Sequence, residues 1–392
     1  MDASRLGGSP IGSLVPISGF DPRTQREYHT HAFLPAHLPK ELDNLSTRTH
    51  MAIADAASWV ARADQAVNEL PNPELLGRLA ILREARSTSA IEGTYVGMED
   101  VLKADFEDAS DISSDVAEVR NYVTVAEIAT ESIKDRPVTV ALLEYLQGIL
   151  VSGTPSQTAQ AGHVRTTNVF IGVKNANVED ARFVPCPHGY QLADGLLDWE
   201  GWINDTSQPM HLMVRMAIGH YQFETLHPFN DGNGRLGRLV MLLQLMRAGE
   251  LAHPVVAISP WLETRRRDYQ DQLFEVSATG NFEPWIQFIC GAAMAQAKEA
   301  VDRIRTLVDL KTRLLTTLYE AKSSGVSLRI AQDLIGYPML TITWASKRYG
   351  VTYQAASNAV NRLVDLGLLR QYSEGNYGRM FINDEALRVL IG

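Results

Sequence analysis

Apolar residues recur at helical spacing through most of this chain and at strand spacing in only a few short runs. From Leu42 the pattern turns helical, passing through Ala52, Ile53, Ala56, Ala57 and Val60. A second helix opens at Asn72-Pro73-Glu74, which supplies a capping side chain, a first-position proline and a first-turn acid. It continues through Leu75, Leu76, Leu79, Ile81, Leu82 and Ala85 to Gly93, a residue suited to the left-handed turn that ends helices. Further helices are predicted over 116–133, 138–151 and 192–204, and helical spacing persists to about residue 304. Within that region the runs 211–226 and 239–246 are apolar enough to be buried helices, and a polar, Gly-rich turn lies between them.

Strand-like spacing appears at 164–172 and 181–185, with Lys174-Asn175-Ala176-Asn177 as turn material, so a β-hairpin is predicted. A lone hairpin is marginal in water and must pack on helices or be completed by another strand. Residues 1–40 read as a polar arm punctuated by Pro and Gly. His29 and His31 share strand spacing there, but two ligands without a third make a poor metal site. Near the other end, 342–350 reads as a helix stopped by Gly350, and Thr352 caps a second helix reaching Val364. Residues 366–371, Gly375, Gly378 and Met380-Phe381-Ile382 then suggest a β-wing, completing the order of a winged helix-turn-helix. The predicted fold is mainly α, divided into an arm (1–40), an N-terminal helical region (41–135), a helical core with the hairpin (136–305) and a winged helix (306–392).

Composition narrows the class. The chain of 392 residues is 45% hydrophobic and 21% charged, enough apolar material for sizeable cores. No apolar run approaches the roughly 20 residues that cross a bilayer. The first 19 residues lack a basic cap followed by an apolar stretch, so a cytoplasmic location without membrane contact is expected. Cys186 and Cys290 fit no metal or redox spacing. The net charge of −10 is uneven: residues 311–392 hold 10 basic and 6 acidic residues, a net of +4, leaving −14 elsewhere. Between Glu99 and Glu118 eight acids face the single Lys103, the pattern of a solvated helix face and loop.

The central turn concentrates chemistry. His227-Pro228-Phe229-Asn230-Asp231-Gly232-Asn233-Gly234-Arg235-Leu236-Gly237-Arg238 places a histidine, a carboxylate, two glycines and two arginines in one run. Gly232 and Gly234 let backbone approach a ligand without a Cβ in the way. The helix that follows aims free N–H groups at the same point, an anion site. Arg235 and Arg238, three apart, share a helix face and can fork onto phosphate oxygens. Asp231 is a hard ligand suited to Mg²⁺ shared with a polyphosphate, and His227 can take a proton near neutral pH. Separately each fragment is ordinary; together they describe a polyphosphate cradle with a base beside it. The glycine spacing fits neither a Walker A loop nor a dinucleotide fingerprint.

This run resembles the Fic-domain motif HxFx(D/E)GNGRxxR with every defining position filled. The likeness extends to Tyr221-Gln222-Phe223-Glu224-Thr225-Leu226, Asp268-Tyr269-Gln270 and Glu283-Pro284-Trp285-Ile286. The resemblance implies a Fic fold that transfers AMP from ATP to a Ser, Thr or Tyr hydroxyl of a protein, the chain itself included. It implies His227 as the base and Asp231 as the Mg²⁺ ligand. Gly232, Asn233, Gly234 and Arg235 would cradle the α- and β-phosphates, with Leu236 and Gly237 in the same ATP-binding stretch and Arg238 on the γ-phosphate. A phosphate-transferring branch departs at the second glycine and final arginine; Gly234 and Arg238 stand here, which favours adenylylation.

Thr88-Ser89-Ala90-Ile91-Glu92-Gly93 is similar to the family's inhibitory motif (S/T)xxxE(G/N). It implies that Glu92 pairs with Arg238, denying it to the γ-phosphate; in some members the same glutamate supports removal of AMP. Val169, Phe170, Ile171 and Gly172 resemble the flap over the nucleotide, whose open edge pairs with a protein substrate. Tyr269, Gln270 and Ser277 fall where adenine or ribose contacts are expected, with core packing the alternative for Tyr269, while His220 reads as structural. The winged helix offers Gln354, Ser357, Asn358, Arg362, Arg370 and Arg379 to DNA, though its charge of +4 gives modest phosphate affinity and a protein partner is the other reading. A DNA-binding regulator with a Fic core is thus the competing function. Apolar helical faces in the N-terminal half suggest a homodimer.

Overall fold

The described residues up to Pro35 form a short helix and a two-stranded hairpin, where the sequence pattern suggested a polar arm. A short helix, α1 (Ala3–Leu6), precedes two antiparallel ten-residue strands, β1 (Gly12–Asp21) and β2 (Arg26–Pro35), paired from Gly12–Pro35 to Asp21–Arg26. The glycines that looked like punctuation lie across aromatic rings. A Cβ at Gly12 would collide with the Phe33 ring, and one at Gly19 would sit 2.5 Å from the Tyr28 hydroxyl. The computed structural model describes residues 1–391 apart from 22–23, 43, 69, 71, 108–110, 173–176 and 374–377.

Helices follow: α2 (Thr47–Asn68), α3 (Glu74–Glu92), α4 (Met98–Lys103), α5 (Ser114–Ser132), α6 (Val140–Leu150) and α7 (Tyr190–Asn204). Then come α8 (Leu212–Leu226), α9 (Asn233–Arg247), α10 (Ser259–Glu263), α11 (Arg266–Thr279) and α12 (Glu283–Glu320). The mainly α expectation holds. The first of these, α2, starts at Thr47 rather than Leu42 and packs along α12. In α3 nearly every residue from Leu75 to Ile91 is buried, because α5, α9 and α10 all pack on it. Asn72 does not cap α3 with its side chain. Pro73 already has helical dihedrals, and the Leu75 N–H bonds instead to the Asn72 carbonyl at 3.3 Å. Gly93 ends the helix as expected, with φ of 106°.

α12 runs on to Glu320, so the predicted boundary at 305/306 falls inside one continuous helix. Its buried stripe continues past that point through Leu307, Leu310, Leu314 and Leu318. Beyond it lie α13 (Val326–Asp333), β3 (Met339–Thr341), α14 (Ile342–Tyr349), α15 (Tyr353–Asp365), β4 (Arg370–Gln371), β5 (Met380–Ile382) and α16 (Asp384–Ile391). The three strands form an antiparallel sheet in the order β3-β5-β4. Thr341 and Thr352 cap α14 and α15, and Gly350 turns left-handed between them with φ of 65°. Gly375 lies outside the described residues.

Among the described residues, the predicted hairpin at 164–185 is reduced to a single antiparallel bridge, Ile171 with Phe183. The first half of its supposed first strand is spent on the helical core: Val164 N–H donates to Glu144 Oε1 at 2.9 Å and Arg165 N–H to the Pro228 carbonyl at 2.9 Å. Lys174, Asn175 and Ala176 lie outside the described residues. Support comes from the N-terminal hairpin. Phe33 N–H donates to the Val184 carbonyl at 2.9 Å, and Tyr28 meets Phe170 edge-on at 5.2 Å. Ala32, Ala181 and Val184 close a small apolar cluster between the two segments.

Candidate active site

α8 and α9 are buried on almost every side, so the polar turn joining them sits deep in the fold. His227 ends α8 in the left-handed region at φ of 52°, and Gly232 opens α9 with φ of 86°. Asn233, Gln147 and Arg165 brace the turn's backbone. Asn233 folds back on Phe229, accepting from its N–H and donating to its carbonyl, both at 2.8 Å. Gln147 donates to the Asp231 carbonyl at 3.1 Å. Arg165, fully buried, donates to the carbonyls of His227 at 2.7 Å, Thr167 at 2.8 Å and Leu226 at 3.2 Å, and also to that of Cys186. A guanidinium has five donors and no acceptor, which suits it to stapling a turn of exposed carbonyls.

A cavity of about 950 Å³ opens beside this turn. Of the residues singled out in the sequence, Glu92, Phe170, Ile171, Gly172, His227, Asp231, Gly234, Arg235, Arg238, Tyr269, Gln270 and Ser277 line it. Val169, Gly232, Asn233, Leu236 and Gly237 do not. Leu236 is wholly in the core, Gly237 backs onto Glu224 and His220, and Asn233 is the turn's lock. Tyr269 combines both readings, buried against His220 yet reaching the cavity wall, while Ser277 bonds to Tyr221 Oη at 2.9 Å. His220 is fully buried with Nε2 2.8 Å from the Tyr269 hydroxyl, in keeping with a structural role.

His227 is set up to accept a proton. Its Nδ1 lies 3.2 Å from the Glu224 carbonyl, which can only accept, so the neutral ring carries its proton on Nδ1 and leaves Nε2 bare. Burial, then the nearby Arg165 charge, lowers its pKa to about 4, so the ring is neutral at ordinary pH. Glu224 is affected oppositely: burial pushes its carboxyl up to about 8, against the pull of Arg238.

The two motif arginines are both engaged. Arg238 Nη2 donates to Glu92 Oε1 at 2.6 Å, while Nε donates to Thr88 Oγ1 at 2.7 Å. Burial works against the Arg238 charge, but the Glu92 carboxylate outweighs it and holds the guanidinium protonated. A Cβ at Gly234 would collide with Glu92 Oε1 and lie 2.9 Å from Arg238 Nη1, so only glycine lets the carboxylate cross the start of α9. Arg235, 2% exposed, donates to Asp231 Oδ1 at 3.0 Å and to Glu118 Oε2 at 3.3 Å. The other Asp231 oxygen accepts from Ser156 Oγ at 2.5 Å, and the side chain stays 45% exposed to the cavity.

Asp100, Asp105, Glu107, Asp111 and Asp115 are exposed, as a solvated face requires, but Glu118 departs from that reading. Only 12% of its side chain is exposed, and it serves a buried arginine. Glu99 and Asp105 are also taken up, by the Tyr372 hydroxyl and by Arg78. Nothing in the local pattern separates Glu118 from its neighbours; its role depends on α5 crossing α9.

Residues 50–131 match the family described as Fic/DOC family N-terminal, and residues 137–245 match the Fic/DOC family itself. The chain carries a Fic domain. Its motif turn, α8 and most of α9 fall within the second match, and Glu92 and Glu118 within the first. The protein adenylyltransferase fic-1 of Caenorhabditis briggsae is 31% identical over 166 residues, covering 42% of this chain and 29% of that protein. The protein adenylyltransferase Fic of Aedes aegypti is 38% identical over 131 residues, covering 33% and 23%. The matched part is thus less than a third of either relative's length. A solved Fic family protein from Desulfovibrio desulfuricans G20 shares the Fic fold, with a TM-score of 0.55 at 20% identity over 88% of this chain and 98% of that one.

Proposed function

We propose that the Fic domain transfers AMP from ATP to a hydroxyl of a protein, the chain itself included, and that Glu92 restrains it. The observation that carries this is the meeting of His227, Asp231, Gly234, Arg235 and Arg238 at one cavity, with Glu92 on Arg238. In this reading the bare Nε2 of His227 takes the hydroxyl proton as the oxygen attacks the α-phosphorus. The O–H bond gives way to Nε2–H and O–P, and the P–O bond to pyrophosphate breaks. Arg235 and the α9 N-terminus hold the α- and β-phosphates and Arg238 the γ-phosphate. While Glu92 occupies Arg238, ATP lacks its γ-phosphate anchor.

Among the described residues no group of three or more His, Cys, Asp or Glu is placed to cage a metal. A half-exposed Asp231 beside the arginines still fits Mg²⁺, which takes one or two carboxylates and completes its shell with substrate phosphates and water. When bound there it would offset the triphosphate charge. Ile171, Gly172 and Phe183 border the cavity, which supports docking of an extended protein segment on this flap. Removal of AMP with the help of Glu92 belongs to the same reading.

We read α14, α15 and the β4–β5 pair as a winged helix-turn-helix that contacts protein. The alternative, a DNA-binding regulator, asks for free cations. Arg362 instead donates to Ser323 Oγ and the Ala321 carbonyl, and Nε and Nη2 of Arg370 go to Asp384. A gel shift with genomic fragments, with and without residues 311–392, separates the two. The chemistry is tested with ATP labelled at the α- or γ-phosphorus: protein-bound label from α only, lost in His227→Ala, supports AMP transfer. Label from the γ position, or label surviving His227→Ala, would exclude it.

A further inference from the structure

We infer that Glu118 is a positioning residue, a second carboxylate of the restraint, which ties Arg235 to the end of the helix that carries Glu92. The inference rests on the AMP-transfer reading for its kinetic consequence, and on geometry alone for the tie itself. One oxygen of Glu118, Oε2, is shared by two donors: Thr94 Oγ1 at 2.8 Å and Arg235 Nη1 at 3.3 Å. Thr94 is part of the closing turn of α3. Its N–H donates to the Ser89 carbonyl at 3.0 Å, wrapping the chain around the left-handed Gly93. The segment 88–94 therefore reaches both motif arginines. It holds Arg238 directly through Thr88 and Glu92, and Arg235 through Thr94 and Glu118.

The need for two carboxylates follows from charge. Arg235 and Arg238 are three residues apart on one buried helix face, and each side chain is almost wholly enclosed. Like charges so placed repel, and a buried guanidinium left without a partner is costly. Asp231 serves one fork of Arg235 from within the turn, and among the described residues the other fork has only Glu118. A carboxylate oxygen shared between a hydroxyl and a guanidinium is a movable partner. Withdrawal of the α3 end from Arg238 takes the Thr94 hydroxyl with it. Glu118 is then left wholly to Arg235, fixing that guanidinium against Asp231 as the site is freed. Both arginines thereby answer to one displacement.

Two measurements on the full chain test this. Amide exchange without nucleotide should show the last turn of α3, residues 89–94, opening about five- to tenfold more often in Thr94→Val and in Glu118→Gln than in the parent. Unchanged exchange there in Thr94→Val would overturn the tie, whatever Glu118→Gln does to folding. In a Glu92→Gly background with α-labelled ATP, Glu118→Gln should raise KM for ATP about five- to tenfold while kcat stays within about twofold. Thr94→Val, redundant once Glu92 is gone, should change neither. A fall in kcat with KM unchanged would overturn the positioning of Arg235. Absence of any label transfer in Glu92→Gly would count against the AMP-transfer reading and its kinetic consequence, while the exchange result would still decide the tie.

Discussion

The motif turn and the C-terminal segment after α12 both present arginines, and the two sets are used in opposite ways. Arg235 and Arg238 are buried, face a cavity, and are balanced by carboxylates brought from α3 and α5. Arg348, Arg362 and Arg370 are more exposed and are satisfied close by: Arg348 by Asp333, Arg362 by the end of α12 and its turn, Arg370 by Asp384. In the proposed function, the first arrangement stores charge that a ligand would claim by displacing a distant acid. The second uses charge as a strut. Counting arginines in the sequence treats the two alike, and only their partners tell them apart.

The sharpest way to break this contrast is to truncate one arginine of each kind. In a Glu92→Gly background, Arg238→Ala should lower self-labelling by about 10²–10³-fold, the scale of losing a preorganised charge partner. Arg362→Ala should leave labelling unchanged and lower stability by about 1 kcal/mol through lost bonds to Ala321 and Ser323, read from denaturant melts. Equal losses of activity would erase the distinction. Between these lies Gly237→Ala. Its new Cβ would sit 2.5 Å from Glu224 Oε1 and 3.1 Å from the His220 ring, so a loss of about 1–3 kcal/mol is expected on melting.

The smallest expected effect is on pH. The Glu224 carboxyl, raised by burial from 4.5 to about 8, keeps a proton in the folded state that the unfolded chain gives up. Its contribution is present below pH 4.5 and is lost as pH rises to about 8. His227, lowered by burial from 6.5 to about 4, slopes the other way, its contribution lost as pH falls between those values. Glu224→Gln should therefore flatten the decline in melting temperature above pH 6.5 and leave the acid side to His227. An unaltered decline would remove Glu224 as its source.

How much was legible in the sequence follows the same division. The motif turn, the α3 stop at Gly93 and the Glu92–Arg238 pair are written in short, dense patterns, and Glu92, Gly93, His227, Asp231, Gly234, Arg235 and Arg238 meet at the cavity. The N-terminal hairpin was hidden because Gly12 and Gly19, which make room for Phe33 and Tyr28, look like loop residues until the partner strand is known. Arg165 was hidden because its partners are carbonyls, which leave no trace in side-chain chemistry. Glu118 was hidden in a run of acids, distinguished only by the packing of α5 on α9. Leu236 and Gly237 err the other way: inside a motif, half the positions of a helix necessarily face the core.

The central claim is that Glu92 withholds Arg238 from a nucleotide. It is tested most directly by comparing self-labelling of the parent chain and Glu92→Gly with α-labelled ATP at equal protein and Mg²⁺. The account predicts a rise of about 5–150-fold, the range of a contact that couples two states by a few kcal/mol. Equal labelling of the two proteins would contradict it.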